Sequence, residues 1–236
     1  MPGLPHVSVV LPVLDEASRI DAQLTSLAGI PDLNEVIVVD GGSTDGTLDR
    51  VRQHRCPTRV LTAPRGRARQ MNAGARLAHG EIVVFLHADV RLPADAVGHI
   101  RHTLRQPGVV AGAFRTWTVI DDPEAPRQWM RHLLHVVDVR SRYTSAPYGD
   151  QALFVWRDVF DAVGGFPEVD LMEDLALSRR LRQRGRIGRA SARVQVSGRR
   201  FLARPVFYTV VMNAFPLLYD LGVPTAFLRR FYENIR

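Results

Sequence analysis

The chain has 236 residues, 46% of them hydrophobic and 23% charged, with a net charge of +7. That composition supports one sizeable core and excludes a disordered chain. All 31 basic residues are arginine, which excludes a P-loop grip on phosphate and lysine Schiff-base chemistry.

Cys56 is the single cysteine, so no intrachain disulfide framework, zinc cluster or iron–sulfur site is expected, in keeping with a reducing cytoplasm. The N-terminus shows no signal-peptide pattern, and no apolar run is long enough to span a bilayer.

The first half alternates strand and helix. Val7–Leu11 reads as a buried strand, and Ala17–Leu27 as an amphipathic helix with Ile20, Leu24 and Leu27 on one face. Strand Val36–Val39, helix Thr44–His54, strand Arg59–Thr62, helix Arg67–Ala78 and strand Glu81–Leu86 follow. Apolar strands without alternation, separated by helices, predict a mostly parallel α/β sheet covered on both faces. No G-x-G-x-x-G follows the first strand, so a dinucleotide fold is not expected.

The second half is less regular. Val109–Phe114 and Gln151–Trp156 read as strands, with a helix over Glu124–Arg142 between them. Gly164-Gly165-Phe166-Pro167 reads as a structural turn. Asp174–Arg184 reads as a helix with Gly185 as its C-cap. The tail from Phe201 to Tyr232 is apolar and aromatic, with breaks expected at Pro216 and Pro224.

Polar groups collect at the predicted strand ends, where α/β sheets bind ligands. Asp40 ends the second strand, before Gly41 and Gly42, and its carboxylate suits the imide N–H of uracil or a similar base edge. Asp45 reads as a helix cap. Gly66 opens the third helix, so Arg65 and Arg67 are placed to bind a diphosphate, with Asn72 further along that helix. His87-Ala88-Asp89 ends the fourth strand. In extended geometry His87 and Asp89 point the same way, and an oxygen ligand there suits Mg²⁺ or Mn²⁺ on phosphate. Asp150 precedes a strand and is a candidate to bind donor sugar or acceptor. Glu173 and Asp174 open a helix, which by itself is a favourable place for acidic residues.

Four blocks, Pro12–Glu16, Val38–Thr47, Arg65–Gly74 and Phe85–Asp89, resemble in order and spacing the N-terminal half of family-2 glycosyltransferases of the GT-A fold. Phe85–Asp89, Gly149-Asp150-Gln151 and Leu171-Met172-Glu173-Asp174 more narrowly resemble the bacterial radical-SAM/selenodomain-associated transferase 2 subgroup. The resemblance covers nearly the whole chain. It implies residues 1–200 as a GT-A domain, with a nucleotide-binding half at 1–92 and an acceptor-binding half at 93–200, and a helical extension at 201–236.

The resemblance also implies roles. Asp40 contacts the nucleobase, while Pro12 and Glu16 shape the base and ribose pocket. Asp89 binds the divalent metal, and His87 stands where the family's D-x-D motif has its first aspartate. Asp174, with Glu173, is the catalytic base, and Asp150 is the second candidate. No histidine follows His135, where many members carry another metal ligand, and Arg199 or Arg200 is placed to grip the diphosphate instead.

The expected function is sugar transfer from a nucleotide-diphospho-sugar, UDP-linked by preference, to an acceptor hydroxyl, metal-dependent and inverting. A sugar nucleotidyltransferase is the second enzyme reading, although Pro12–Glu16 lacks that class's basic glycine-rich loop. A non-catalytic nucleotide- or nucleic-acid-binding module is the third. The arginines form no recognisable nucleic-acid motif, so nucleic acid is not an expected partner. Phe207, Val210, Val211, Phe215 and Leu218 lie near helical spacing. Packing on the domain, a homodimer contact or peripheral membrane contact from the cytoplasmic side each fit that tail.

Overall fold

The computed structural model describes residues 3–120, 138, 147–169, 171–199, 205–225 and 227–228. The elements run β1 (Val7–Val13), α1 (Ile20–Ala28), β2 (Glu35–Asp40), α2 (Thr47–Gln53), β3 (Thr58–Thr62), α3 (Arg67–Leu77) and β4 (Ile82–Phe85). After these come β5 (Val90–Arg91), α4 (Ala96–Leu104), β6 (Val109–Val119), a 3₁₀ turn (Gly149–Gln151) and β7 (Phe154–Trp156). The order closes with α5 (Arg157–Ala162), α6 (Glu173–Arg182), β8 (Arg186–Ser197) and α7 (Pro205–Asp220).

The strands form one sheet in the order β3-β2-β1-β4-β7-β6-β8-β5. Strands β3, β2, β1 and β4 are parallel neighbours. From β7 onward the sheet is mixed. β7 is antiparallel to both β4 and β6, β8 is parallel to β6, and β5 is antiparallel to β8. The parallel half follows from helical crossovers, since parallel strands need long connections.

Successive side chains on a strand face opposite sides, and β1 divides its residues between two cores. Val7, Val9 and Leu11 meet Leu24 of α1 and Ile100 of α4. Val10 meets Met71 of α3, Phe160 of α5 and Leu177 of α6. Each such side chain, fully buried, contributes roughly 1.5–3 kcal/mol relative to exposure. Phe85, Phe160 and Phe166 pack as a trio, with centroids 4.7–5.7 Å apart, and this trio seats the turn expected at Gly164–Pro167.

Several boundaries differ from the expectation. β1 continues past Leu11, with Pro12 in register with Val39. Pro12 has no N–H to give. Val10 already turns its carbonyl to Leu86 of the β4 side (3.0 Å), and Pro12, two residues on, faces that same side beyond the last β1–β4 pair, Val10 with Phe85. The missing donor therefore falls where β4 has ended.

The helix expected from Thr44 begins at Thr47, and the strand expected from Gln151 begins at Phe154 after the 3₁₀ turn. Pro216 lies inside α7 rather than breaking it. Gly185 is not a left-handed cap: it is absent from the positive-φ glycines. Space selects it instead, because a Cβ there would stand 2.5 Å from Val110 Cγ1 and 2.8 Å from the Gly108 carbonyl. β5, α4, α5 and β8 were not anticipated. The helix expected over Glu124–Arg142 lies outside the described residues except at Asp138. That residue is helical and accepts bonds from the Thr118 amide and hydroxyl, both 2.9 Å.

Candidate functional site

The loops after β1 and β2 are tied to each other. The Asp15 amide donates to Ser43 Oγ (3.0 Å), and the Thr44 amide donates back to Asp15 Oδ1 (2.8 Å). The Glu16 amide donates to Thr47 Oγ1 (2.8 Å), and the Ala17 amide to Asp45 Oδ2 (2.9 Å). Asp45 also accepts from the Thr47 amide (3.0 Å) and hydroxyl, at the start of α2. These bonds, the Thr47 hydroxyl first, hold the Asp45 carboxyl below its ordinary range.

Asp40 is 1% exposed. Its carboxylate accepts from the Gly42 amide (2.9 Å) and from the amide and hydroxyl of Ser43. It shapes the loop that carries Gly41. Gln70, reaching back from the first turn of α3, donates to the carbonyls of Val13 and Val39, both at 2.9 Å. A Cβ on Gly41 would stand 3.0 Å from that amide. The reading of the sequence missed Gln70; the signal was a buried polar residue between the small residues of α3. Glu16 pairs with Arg19 (3.1 Å), and its carbonyl accepts from Arg19 and Ile20 at the start of α1.

Arg65 is exposed, and Arg67 begins α3 half-buried. Asn72 is engaged elsewhere. Its amide nitrogen donates to the Phe166 carbonyl (2.8 Å) and its oxygen accepts from the Phe166 amide (2.9 Å), which pins the turn after α5 to α3.

His87 to Asp89 is not extended. The Val90 amide donates to the His87 carbonyl (3.1 Å), closing a turn that holds Ala88 and Asp89 at its centre. A turn ends the alternation of an extended strand, so the common direction expected for the two side chains does not follow from strand geometry. The Ser197 amide bonds the Asp89 carbonyl (3.0 Å), so the end of β8, two residues before exposed Arg199, is sewn to this turn. Arg200 lies outside the described residues.

Two further segments converge on that turn. A Cβ on Gly149 would stand 2.4 Å from the His87 ring and 3.3 Å from Asp174 Oδ2, so any other residue would displace that ring. The Gly149 amide donates to Asp174 Oδ2, and the Leu175 amide to Asp174 Oδ1 (2.7 Å). Met172, with φ 67°, caps α6 and turns the chain so that Glu173 and Asp174 open the helix. Asp150 follows Gly149 in the same 3₁₀ turn.

Burial dominates the electrostatics of this pair. It pushes Glu173 up to about 7, helped by the neighbouring Asp174 charge and opposed by Arg67. Burial also raises Asp174, whose carboxylate is enclosed although the residue as a whole is half-buried; the Gly149 and Leu175 amides and Arg67 oppose it. A carboxylate whose pKa is raised by burial is suited to taking a proton.

Residues 8–164 match the family model described as glycosyl transferase family 2. The chain belongs to glycosyl transferase family 2. It is 29% identical over 195 residues to a beta-monoglucosyldiacylglycerol synthase from Synechocystis sp., covering 75% of this chain and 40% of that protein. It is 28% identical over 188 residues to the glycosyltransferase AglE of Haloferax volcanii, covering 70% and 57% respectively. The chain thus spans about half the length of these curated relatives.

The mannosyltransferase PcManGT from Pyrobaculum calidifontis, solved with GDP-Man and Mn2+, superposes with a TM-score of 0.65 at 24% identity, over 82% of this chain and 57% of that one. S. aureus TarS 1-349 with UDP superposes at 0.63 and 20% identity, over 81% and 60%. At those identities the likeness concerns the fold, which is GT-A.

In this family-2 frame, Asp89 and His87 are the candidate metal ligands. Among the described residues no three or more His, Cys, Asp or Glu side chains are grouped to hold a metal ion. One carboxylate and one imidazole fit an ion that takes its remaining oxygens from a diphosphate.

Proposed function

We propose that this protein transfers a glycosyl group from a nucleoside-diphosphate sugar to an acceptor hydroxyl with inversion, using Asp174 as the base. The observation that carries the proposal is the meeting of the His87–Asp89 turn with Asp174 across Gly149. A phosphate-binding turn and a carboxylate of raised pKa then flank one space. A binding module has no need for the second.

Asp174 takes the acceptor hydroxyl proton as that oxygen forms its bond to the anomeric carbon. The bond from that carbon to the diphosphate oxygen breaks, and the nucleoside diphosphate leaves with the electron pair. Glu173, buried against Asp174, tunes the pair's charge, and Arg67 steadies it. Arg67, with Arg65 and Arg199 or Arg200, balances the charge growing on the diphosphate. A divalent ion, Mn²⁺ or Mg²⁺, held by Asp89 and His87 would supply Lewis-acid stabilisation of that same charge. Asp150 sits beside donor sugar and acceptor.

Asp40 and Gly41 would present the base pocket, bounded by Pro12 and Glu16. The carboxyl at the end of β2 favours UDP. The base contact needs Asp40 to exchange part of its bonding with Gly42 and Ser43. Asn72 is left out of the donor site, because both ends of its amide serve Phe166. The division at residue 92 and membership of the radical-SAM-associated subgroup belong to this same proposal.

The test is a panel of UDP-, GDP- and TDP-sugars with Mn²⁺, read by mass spectrometry for nucleoside diphosphate release, with product anomer by NMR. Release from a UDP-sugar with an inverted product is the expected result. If no nucleoside diphosphate binds and Asp89→Ala changes nothing, the proposal fails. Pyrophosphate release from a nucleoside triphosphate and a sugar phosphate would instead identify a nucleotidyltransferase.

A further inference from the structure

Helix α7 has two apolar faces. Phe215, with Val211, Leu218 and Tyr219, packs on Leu171, Met172 and Leu228. An adjoining stripe, further round the helix, carries Phe207 (43% exposed), Val210 (60%), Leu217 (65%) and, just past the helix, Leu221 (81%). The spacing of 207, 210, 217 and 221 keeps these side chains on one side of a helix.

Charge surrounds the helix in sequence. Residues 175–219 hold ten arginines and no Asp or Glu. Arg179 of α6 stacks on the Tyr219 ring of α7 at 4.8 Å, which brings the arginine-rich last turn of α6 against the helix.

We propose that this outward face of α7, together with the arginine-rich end of α6 packed against the helix, docks on an anionic lipid surface. Apolar side chains that enter the acyl boundary, beside cations that meet phosphate headgroups, are what such a surface selects. A second copy of the chain fits less well. The stripe offers on the order of 500 Å², short of the roughly 800 Å² per partner of a stable interface, and two copies would oppose like charges. Among the described residues no helix is long and apolar enough to cross a membrane, so the contact is peripheral.

The inner face of α7 adds a consequence. It packs on Leu171 and Met172, directly before Glu173 and Asp174. A bilayer beneath α7 therefore lies next to the segment that sets the proposed base, and the acceptor is a hydroxyl presented at that bilayer. This last step rests on the proposed transfer; the docking does not.

Sedimentation of the full chain with vesicles tests it, without donor or turnover. Vesicles of phosphatidylcholine plus phosphatidylglycerol should retain the protein, phosphatidylcholine alone should not, and retention should fall as salt rises. Leu217→Glu with Leu221→Glu should weaken retention at least about tenfold while leaving the unfolding midpoint unchanged, since both side chains are exposed. Val210→Glu is a second, independent variant. No retention on anionic vesicles, or equal retention of all variants, overturns the proposal. So does a concentration-dependent dimer that the variants dissociate. An inactive protein that still sediments would sink the transfer reading and leave docking standing.

Discussion

The carboxylates at the two halves of the sheet are treated in opposite ways. After β1 and β2, Asp15, Asp40 and Asp45 accept hydrogen bonds from neighbouring loop groups, and Asp45 is held below its ordinary pKa. At the start of α6, Glu173 is buried beside a second carboxylate and sits near 7. Satisfied carboxylates build a rigid frame; carboxylates that burial makes uncomfortable when charged are ready to take protons. In the proposed transfer, the β1 and β2 loops set position and the start of α6 supplies the base.

The largest test of that contrast is Asp174→Asn. It should lower kcat about 10³-fold, with nucleotide affinity changed only a few-fold, because a positioned base contributes roughly 10²–10⁴-fold to the chemical step. Steady-state kinetics beside calorimetry with the nucleoside diphosphate separates the two quantities.

Next is the pH dependence of folding. The Glu173 pKa is raised in the folded state, from 4.5 to about 7. The folded chain keeps a proton that the unfolded chain releases, so this group's stabilisation is complete below 4.5 and is lost as pH climbs through 7. The loss should reach roughly 3 kcal/mol, measured by urea unfolding across that window. Glu173→Gln should flatten the slope. Activity should run the other way, rising with pH as the pair loses its proton.

Gln70→Ala should cost about 2 kcal/mol, since the buried Val13 and Val39 carbonyls lose a shared donor. Asp45→Ala should give the smallest change, a lower Tm than the parent but a smaller drop than Gln70→Ala, because Asp45 is exposed to solvent and its bonds have water as an alternative. If Asp45→Ala proved more damaging than Asp174→Asn to turnover, the division between frame and chemistry would collapse.

Residue patterns carried the first half well. Val36–Val39 and Ile82–Phe85 are uninterrupted apolar runs, buried on both faces, and such runs have few other solutions. β8 was hidden because Arg186, Arg189 and Arg193 interrupt its pattern. Its burial is sparse, with Ala190 and Val194 the buried hydrophobics, which reads locally as a basic loop. α4 packs on one sheet face through Ile100 and Leu104, but it is only nine residues long, with Gly98 in its first turn and Arg101 and Thr103 among its buried residues, so its apolar stripe is short.

At the site, Asp89 and Asp174 were legible as chemistry-bearing types at strand and helix ends. The approach of the His87 ring to Asp174 was not, because it depends on Gly149, whose missing side chain leaves no mark in a pattern of polar and apolar residues. The pairing of Asn72 with Phe166 was hidden for the converse reason: an amide in a polar block has the same appearance whether it meets ligand or backbone. Pro216 misled through propensity, since the packing of Phe215 and Leu218 on Leu171 holds α7 together across it.

The pair of hydrogen bonds between Asn72 and Phe166 has a mechanical meaning. With Arg69 paired to Glu168 (3.0 Å), it fastens α3 to the chain segment that leads into α6. A displacement of one is thereby passed to the other, so that, in the proposed transfer, the gap between leaving group and proton acceptor would behave as a dimension of the scaffold. Loosening this strap, as in Asn72→Ala, would let the two sides drift independently while leaving every reacting group chemically intact.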